Sequence, residues 1–246
     1  MIVQEYSRCP TCNAEVIIAR REDGSADHYE VVEPINQHLP PQDKKTANYY
    51  RELRKGKKTV AMVGMGRSSA SLAPYDEDVE LWSMNEAHLY MWMKRATRWF
   101  QMHPKKIWTR ELSGRGESGH PEWMTTNPWN IPIYMLYHYD EVPSSIEYPL
   151  SDIREEFFTK YHRDMDEFKI QYFRSSFAYM MALAIKEGFE RIELYGLDFH
   201  SGTDFAKQKA NAEFWVGMAM GRGIEIHGSG NSELLTGELY GYTGYD

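Results

Sequence analysis

Short apolar runs separated by polar, glycine-containing stretches dominate the chain from Lys58 onward. Residues 59–64 (TVAMVG) form the first such run, which is too short and too uniformly apolar for a surface helix and fits a strand buried on both faces. Five more runs repeat the pattern at 79–85 (VELWSMN), 98–103 (RWFQMH), 131–136 (IPIYML), 191–199 (RIELYGLDF) and 223–227 (GIEIH). Between them, residues 174–187 contain the sequence SSFAYMMALAI, a helix apolar on nearly every side, which requires burial against a sheet. Gly188 stands where a helix stop belongs. Residues 205–221 read as a second, amphipathic helix, with Lys207 and Lys209 on its solvent face. Strands that alternate with helices predict an α/β domain, a Rossmann-like parallel sheet flanked by helices.

The remaining segments divide the chain further. Residues 1–35 form a small N-terminal appendage, 36–57 a polar, proline-containing linker, 58–236 the Rossmann-like nucleotide-binding domain and 237–246 a tail rich in glycine and tyrosine. In the appendage, Cys9-Pro10-Thr11-Cys12 has the turn of a zinc knuckle leading into a short strand. Two thiolates supply half of a tetrahedral site, so a structural zinc would need His28 and His38 or a second subunit. The alternative is a cysteine pair without a metal.

Composition narrows the function. A net charge of −8 speaks against extended nucleic-acid binding, which needs clustered Lys and Arg. Lys44-Lys45 and the stretch 51–58 are the one basic patch, and a solvated face accounts for it. No apolar run reaches the length of a spanning helix, and the start MIVQEYSRCP lacks the pattern of a signal peptide. With two cysteines in a single C-x-x-C, no disulfide framework is expected, and cytoplasmic localisation follows. Trp92, Trp99, Trp108, Trp123 and Trp129 crowd the middle third. Either they wall an acceptor site or they form core or a subunit interface, so a homo-oligomer stays open.

In open parallel sheets, ligands sit beyond the carboxyl ends of the strands, where strand order reverses. That rule selects Gly64, Gly66, Arg67, Ser68 and Ser69 after the first strand. The glycines let backbone approach a phosphate, Arg67 offers a forked donor, and Ser68 or Ser69 caps the helix expected to follow. Ser69 occupies the third-glycine position of the dinucleotide fingerprint, which disfavours NAD. Asn85 ends the second strand ahead of Glu86, and His103 ends the third. His120, Glu122 and Trp123 fall in a region facing the substrate side. Ser175 and Ser176 open the apolar helix. Asp198 and His200 end the fifth strand as the strongest acid–base cluster, able to orient an imidazole or hold a metal. Asn231 and Ser232 follow the sixth strand and close the far side. A plain tight turn is the alternative for the Gly64–Gly66 loop, a structural hydrogen-bonder for His103, a helix or turn cap for Asn85 and the serines, and an amide-binding carboxylate for Asp198.

The ordered set of Gly64-Met65-Gly66-Arg67-Ser68-Ser69, Asn85, Ser175-Ser176 and the stretch 188–199 (GFERIELYGLDF) resembles bacterial sialyltransferases of the Campylobacter lipooligosaccharide type. It is also similar to 6-hydroxymethylpterin diphosphokinase-like proteins, and the whole chain resembles proteins of tailed bacteriophages. The sialyltransferase resemblance implies a CMP-type nucleotide held by the 64–69 loop, Asn85 and Ser175-Ser176. That family's donor-phosphate tyrosines fall on Glu193 and His200 here. Its catalytic histidine lies in an insertion this chain lacks, which leaves His200 nearby. The diphosphokinase resemblance implies a magnesium ion held partly by Asp198.

The leading expectation is a nucleotide-dependent group-transfer enzyme, a glycosyltransferase with a nucleotide-sugar donor. His200 or His103 would act as acid or base, and Asp198 as orienter or metal ligand. The alternatives are an ATP-dependent diphosphate transfer and a non-catalytic phage protein that binds a nucleotide or a host partner. The phage resemblance places the chain in the cytoplasm of a bacterial host.

Overall fold

Val60, Ala61, Met62 and Val63 are all fully withdrawn from solvent, as a strand must be when both faces of its sheet are covered. They belong to β4 (Thr59–Val63) of a computed structural model that describes residues 3–8, 15–20, 26–31, 49, 51–109, 119–158, 172–199, 203–229 and 232–236. The chain divides into two units, Met1–Asp43 and Lys44–Asp246.

The first unit contains β1 (Val3–Arg8), β2 (Glu15–Arg20) and β3 (Ala26–Val31) in an antiparallel sheet of order β1-β2-β3. Val3 pairs with Arg20 and Arg8 with Glu15, and a bulge at Ala19/Arg20 shifts the register of β2 against β3. Two strands here go beyond the single one expected after the cysteine pair. Cys9 and Cys12 lie outside the described residues, so the zinc knuckle has no structural account. Among the described residues, no three His, Cys, Asp or Glu side chains come together to hold a metal ion.

The second unit is built on a seven-stranded sheet of order β10-β9-β4-β5-β6-β7-β8. Its other strands are β5 (Glu80–Met84), β6 (Arg98–Gln101), β7 (Ile133–Met135), β8 (Ser145–Glu147), β9 (Arg191–Tyr195) and β10 (Glu225–Gly228). Every pairing is parallel, and the architecture is the expected Rossmann-like α/β sheet. All six anticipated strands form, each shorter than its apolar run. The fifth stops at Tyr195, because Gly196 turns into the left-handed region at φ 61°. The three-residue β8 was not anticipated, since its two exposed side chains give it no apolar signature.

Alternation along the strands divides the core in two. Val60 and Met62 face one side with Trp82, Phe100, Ile192 and Leu194. There they meet α3 (Ser176–Lys186), α4 (Thr203–Gly221) and Ile153 of α2 (Leu150–Phe158). In α3 only Tyr179 and Lys186 escape full burial, as its apolar circumference demands. Ala61, Val63 and Leu81 face the other side with Trp92, Trp99, Trp108 and Met124 of α1 (His120–Thr126). Three of the five central tryptophans are therefore buried core, and Trp123 and Trp129 pack against them partly buried.

Within the stretch read as a linker, Arg54 is withdrawn from solvent. Its guanidinium donates from Nη2 to Glu193 at 2.7 Å and from Nη1 to Glu77 at 2.8 Å. Among the described residues, no helix is long and apolar enough to cross a membrane.

Candidate functional site

Strand order fixes where a ligand can enter. After β4 the chain proceeds outward through β5, β6, β7 and β8, then returns to place β9 on the other side of β4. The reversal leaves a crevice beyond the carboxyl ends of β4 and β9. A cavity of about 540 Å³ opens there, lined by the ends of β4, β5, β6 and β9 and the start of α3. Of the residues singled out from sequence, Gly64, Gly66, Asn85, His103, Ser175, Ser176 and Asp198 line it together.

Gly64 and Gly66 serve the site differently from expectation. The Gly64 amide donates to Tyr195 O at 2.8 Å and the Gly66 amide to Gly196 O at 2.7 Å, so neither N–H is presented to a phosphate. A Cβ on Gly64 would stand 2.4 Å from Gly196 O, and one on Gly66 would stand 2.5 Å from the Asp198 carboxyl. These glycines let two backbone segments touch. The helix expected to follow is a single 3-10 turn, Ala70–Leu72, without a side-chain cap from Ser69. Ser69 is instead a buried brace: its hydroxyl donates to Ser229 O at 2.7 Å and accepts from the Gly196 amide at 2.8 Å. Arg67 is exposed and is not part of the cavity lining.

Asp198 takes the amide-binding role named above as its plain alternative. Its carboxylate accepts from the Ser68 hydroxyl and, at 3.2 Å, from the Ser68 amide. Its carbonyl accepts from the Glu233 amide at 2.9 Å. Ser232 donates to Leu197 O at 2.5 Å and so closes the 196–199 loop without reaching the cavity lining. Phe199, at φ 51°, ends that loop in a backbone conformation rare for a bulky residue, and such strain is held where surrounding structure over-determines it. His200 and Asn231 lie outside the described residues.

The opposite wall offers hydrogen-bonding groups. Asn85 adopts φ 52°, tolerable for asparagine, and is held by its amide on Phe100 O and its carbonyl under Trp99 Nε1. Ser176 donates to Asn85 Oδ1 at 3.1 Å, which leaves the Asn85 NH₂ as a donor. The buried Ser175 hydroxyl has no partner among the described residues and does not cap its helix. Arg174 also lines the cavity, is exposed and forms no ion pair among the described residues. It is the one Lys or Arg in the described lining. Sequence reasoning missed it by treating it as the first residue of the apolar helix. Gln208 from α4 was missed as well, since a helix-face glutamine carries no signal of its own.

His103 completes the lining and begins a chain of imidazoles. Its Nδ1 is 3.1 Å from Gln101 Oε1, Gln101 Nε2 is 2.8 Å from His120 Nε2, and His120 Nδ1 is 2.7 Å from His88 Nε2. The His88 ring stacks on Trp123 at 4.2 Å. Burial pushes the His103 imidazole below the usual histidine range against the opposing charge of Glu86, and pushes His88 down to about 4. A histidine kept neutral in the fold charges freely once unfolded, so its stabilisation is complete above the unfolded value of about 6.5 and is lost as pH falls towards 4. Denaturation midpoints in guanidinium are therefore expected to fall between pH 6.5 and 4.5, above the carboxylate range. His88→Gln, which keeps an acceptor for His120, should flatten that limb. An unchanged slope would remove His88 from the cause.

No protein-family model matches the chain, and no curated protein sequence matches it. Among solved structures, the sialyltransferase CstII from Campylobacter jejuni in complex with cytidine-5'-monophosphate is similar at 16% identity. That match covers 70% of this chain and 79% of the other, with a TM-score of 0.41. CstII from the same organism with the analogue CMP-3FNeuAc is similar at 16% identity over 72% of this chain and 82% of the other, with a TM-score of 0.45.

Proposed function

We propose that the chain is a nucleotide-dependent group-transfer enzyme, a glycosyltransferase that takes a nucleotide-sugar donor into the cavity between the ends of β4 and β9. The carrying observation is the lining of that cavity. One wall presents the uncommitted NH₂ of Asn85 and the exposed Arg174 side chain, with Ser175 among its lining residues, and His103 stands on the lining just after β6. Concave sites with few convergent polar groups on an apolar lining suit small-molecule binding.

In this reading Arg174 replaces Arg67 as the cation that faces the donor phosphate. A guanidinium matches phosphate oxygens in geometry and charge. Asn85 meets the nucleoside. The acceptor hydroxyl attacks the anomeric carbon while its proton passes to His103 Nε2. The bond from that carbon to the phosphate oxygen breaks, and its electron pair leaves with the nucleotide. Arg174 stabilises the charge that develops there. Asp198 acts as the brace of the 64–68 loop and takes no part in the chemistry.

The test is a thermal-shift panel of CMP, CDP, UDP, GDP, AMP, ATP and their sugar conjugates, with and without magnesium. Cytidine nucleotides head it because of the resemblance in the sequence at residues 64–69, 85, 175–176 and 188–199. A nucleotide that binds only the folded chain raises Tm. Selective stabilisation by a sugar-donor nucleotide, with slow release of free nucleotide on incubation, is expected. Arg174→Ala should weaken binding about ten- to a hundredfold, as for loss of a charged hydrogen bond of about 1.5–3 kcal/mol. A shift confined to ATP with magnesium would favour diphosphate transfer, and binding without turnover would leave a nucleotide-binding protein.

A further inference from the structure

The imidazole chain behind His103 sits where an apolar sheet face would suffice. Gln101 is the last residue of β6 and shares its face with Trp99, whose neighbours are tryptophan, methionine and isoleucine side chains. Both Gln101 and His120 are fully buried. Polar groups in such a place stabilise only when every donor meets an acceptor, and satisfying that condition constrains where each proton lies.

We infer that Gln101, His120 and His88 are positioning residues that fix the tautomer of His103. A primary amide has one accepting and one donating arm. Gln101 turns its oxygen to His103 Nδ1 at 3.1 Å and its nitrogen to His120 Nε2 at 2.8 Å. His103 Nδ1 therefore carries the proton and donates it to Gln101 Oε1, and Nε2 is left with its lone pair. Nε2 makes no hydrogen bond among the described residues, and His103 lines the cavity. His120 accepts on Nε2, so its own proton sits on Nδ1 and is donated to His88 Nε2 at 2.7 Å. His88 then holds its proton on Nδ1, with its ring fixed flat on Trp123 at 4.2 Å and 7°. Each link is decided by the one before it. Reversing the Gln101 amide would reverse the three imidazoles together, and the cavity would meet an N–H where a base is needed.

This inference rests on the reading of His103 as the base, but its test does not require turnover. Nitrogen-15-labelled histidine reports which ring nitrogen carries the proton, and His103→Asn assigns the His103 signals. In the unaltered chain, His103, His120 and His88 are expected to be protonated on Nδ1 at neutral pH. Gln101→Met removes both amide contacts at similar length and should shift His103 to the Nε2–H form that isolated neutral imidazole favours. His120→Leu leaves Gln101 in place but unpins its far end, and a mixture of both His103 tautomers is expected. The second variant keeps the test decisive if the first does not fold. In turnover, Gln101→Met should lower kcat and leave the donor KM unchanged. A His103 proton on Nε2 in the unaltered chain would overturn the inference, as would an unaltered His103 tautomer in the variants. Nucleotide shifts are measured on the same samples. An intact tautomer pattern without any nucleotide binding would end the transferase reading and leave the positioning chain standing.

Discussion

Glu193→Ala is expected to destabilise the chain by about 3–5 kcal/mol, the range for removing one partner of a buried ion pair. Glu193 is fully buried in β9, between β4 and β10. Its carboxylate accepts from Arg54 Nε at 2.9 Å and Nη2 at 2.7 Å, from Arg191 Nε at 2.8 Å and from the Tyr195 hydroxyl at 2.9 Å. Burial alone would push this carboxyl up, but the two guanidinium partners outweigh it and hold it below the usual carboxylate range. Removing it leaves two buried cations side by side, each with one remaining acid: Glu77 for Arg54 at 2.8 Å and Glu225 for Arg191 at 3.0 Å. Those acids are nearer the surface and cannot quench the repulsion. For a unit of this size, the loss corresponds to a fall in Tm of about 6–20 °C. Thermal and guanidinium denaturation check it, and a loss under about 1 kcal/mol would mean the outer acids suffice.

That cluster marks a limit of reading the sequence. Glu193 lies in RIELY, whose apolar alternation announces a strand but does not show which charges meet its polar position. Arg54 is 139 residues away in a segment whose composition is that of a linker. Apolar periodicity made the sheet legible because burial on two faces leaves only apolar side chains at most positions of β4, β5 and β9. The apolar circumference of α3 was legible for the same reason. Short β8 and the 3-10 turns carry no such periodicity, since their residues are held by loops and neighbours.

The location of the candidate site was legible, and the duties of its residues were less so. Strand ends at Gly64, Asn85, His103 and Asp198 converge because parallel order and a reversal force them to. A glycine pair, though, has one sequence signature for two physical roles: admitting a ligand or admitting another backbone. Here the second holds at Gly64 and Gly66. Arg174 carried no signal because its neighbours read as helix. The link from His103 to His88 joins three segments and has no local pattern at all.

The glycine contact supplies the second large effect, through Gly196→Ala. At φ 61° any side chain is strained, and a Cβ would stand 2.6 Å from Gly66 O, 2.7 Å from Ala70 Cβ and 3.0 Å from Gly64 O. The backbone conformation costs about 1–2 kcal/mol for a residue with a Cβ, and forcing extra volume into packed surroundings about 1–3 kcal/mol more. Relief requires the 64–69 loop to retreat, which breaks the Gly64 and Gly66 amide bonds to the β9 exit and loosens the Ser69 brace. A loss of about 2–5 kcal/mol is therefore expected, together with loss of any nucleotide-induced thermal shift, because the same loop lines the cavity. Gly188→Ala separates the two contributions. Gly188 has φ 71° but, beyond its chain neighbours, no atom of the described residues within 4 Å of the position a Cβ would take, so only the conformational part of about 1–2 kcal/mol should appear. Equal losses in the two variants would show that backbone strain is the whole effect and that the loop is free to move aside. A clearly larger loss at Gly196, accompanied by loss of ligand response, would establish that the contact between the ends of β4 and β9 sets the shape of the site.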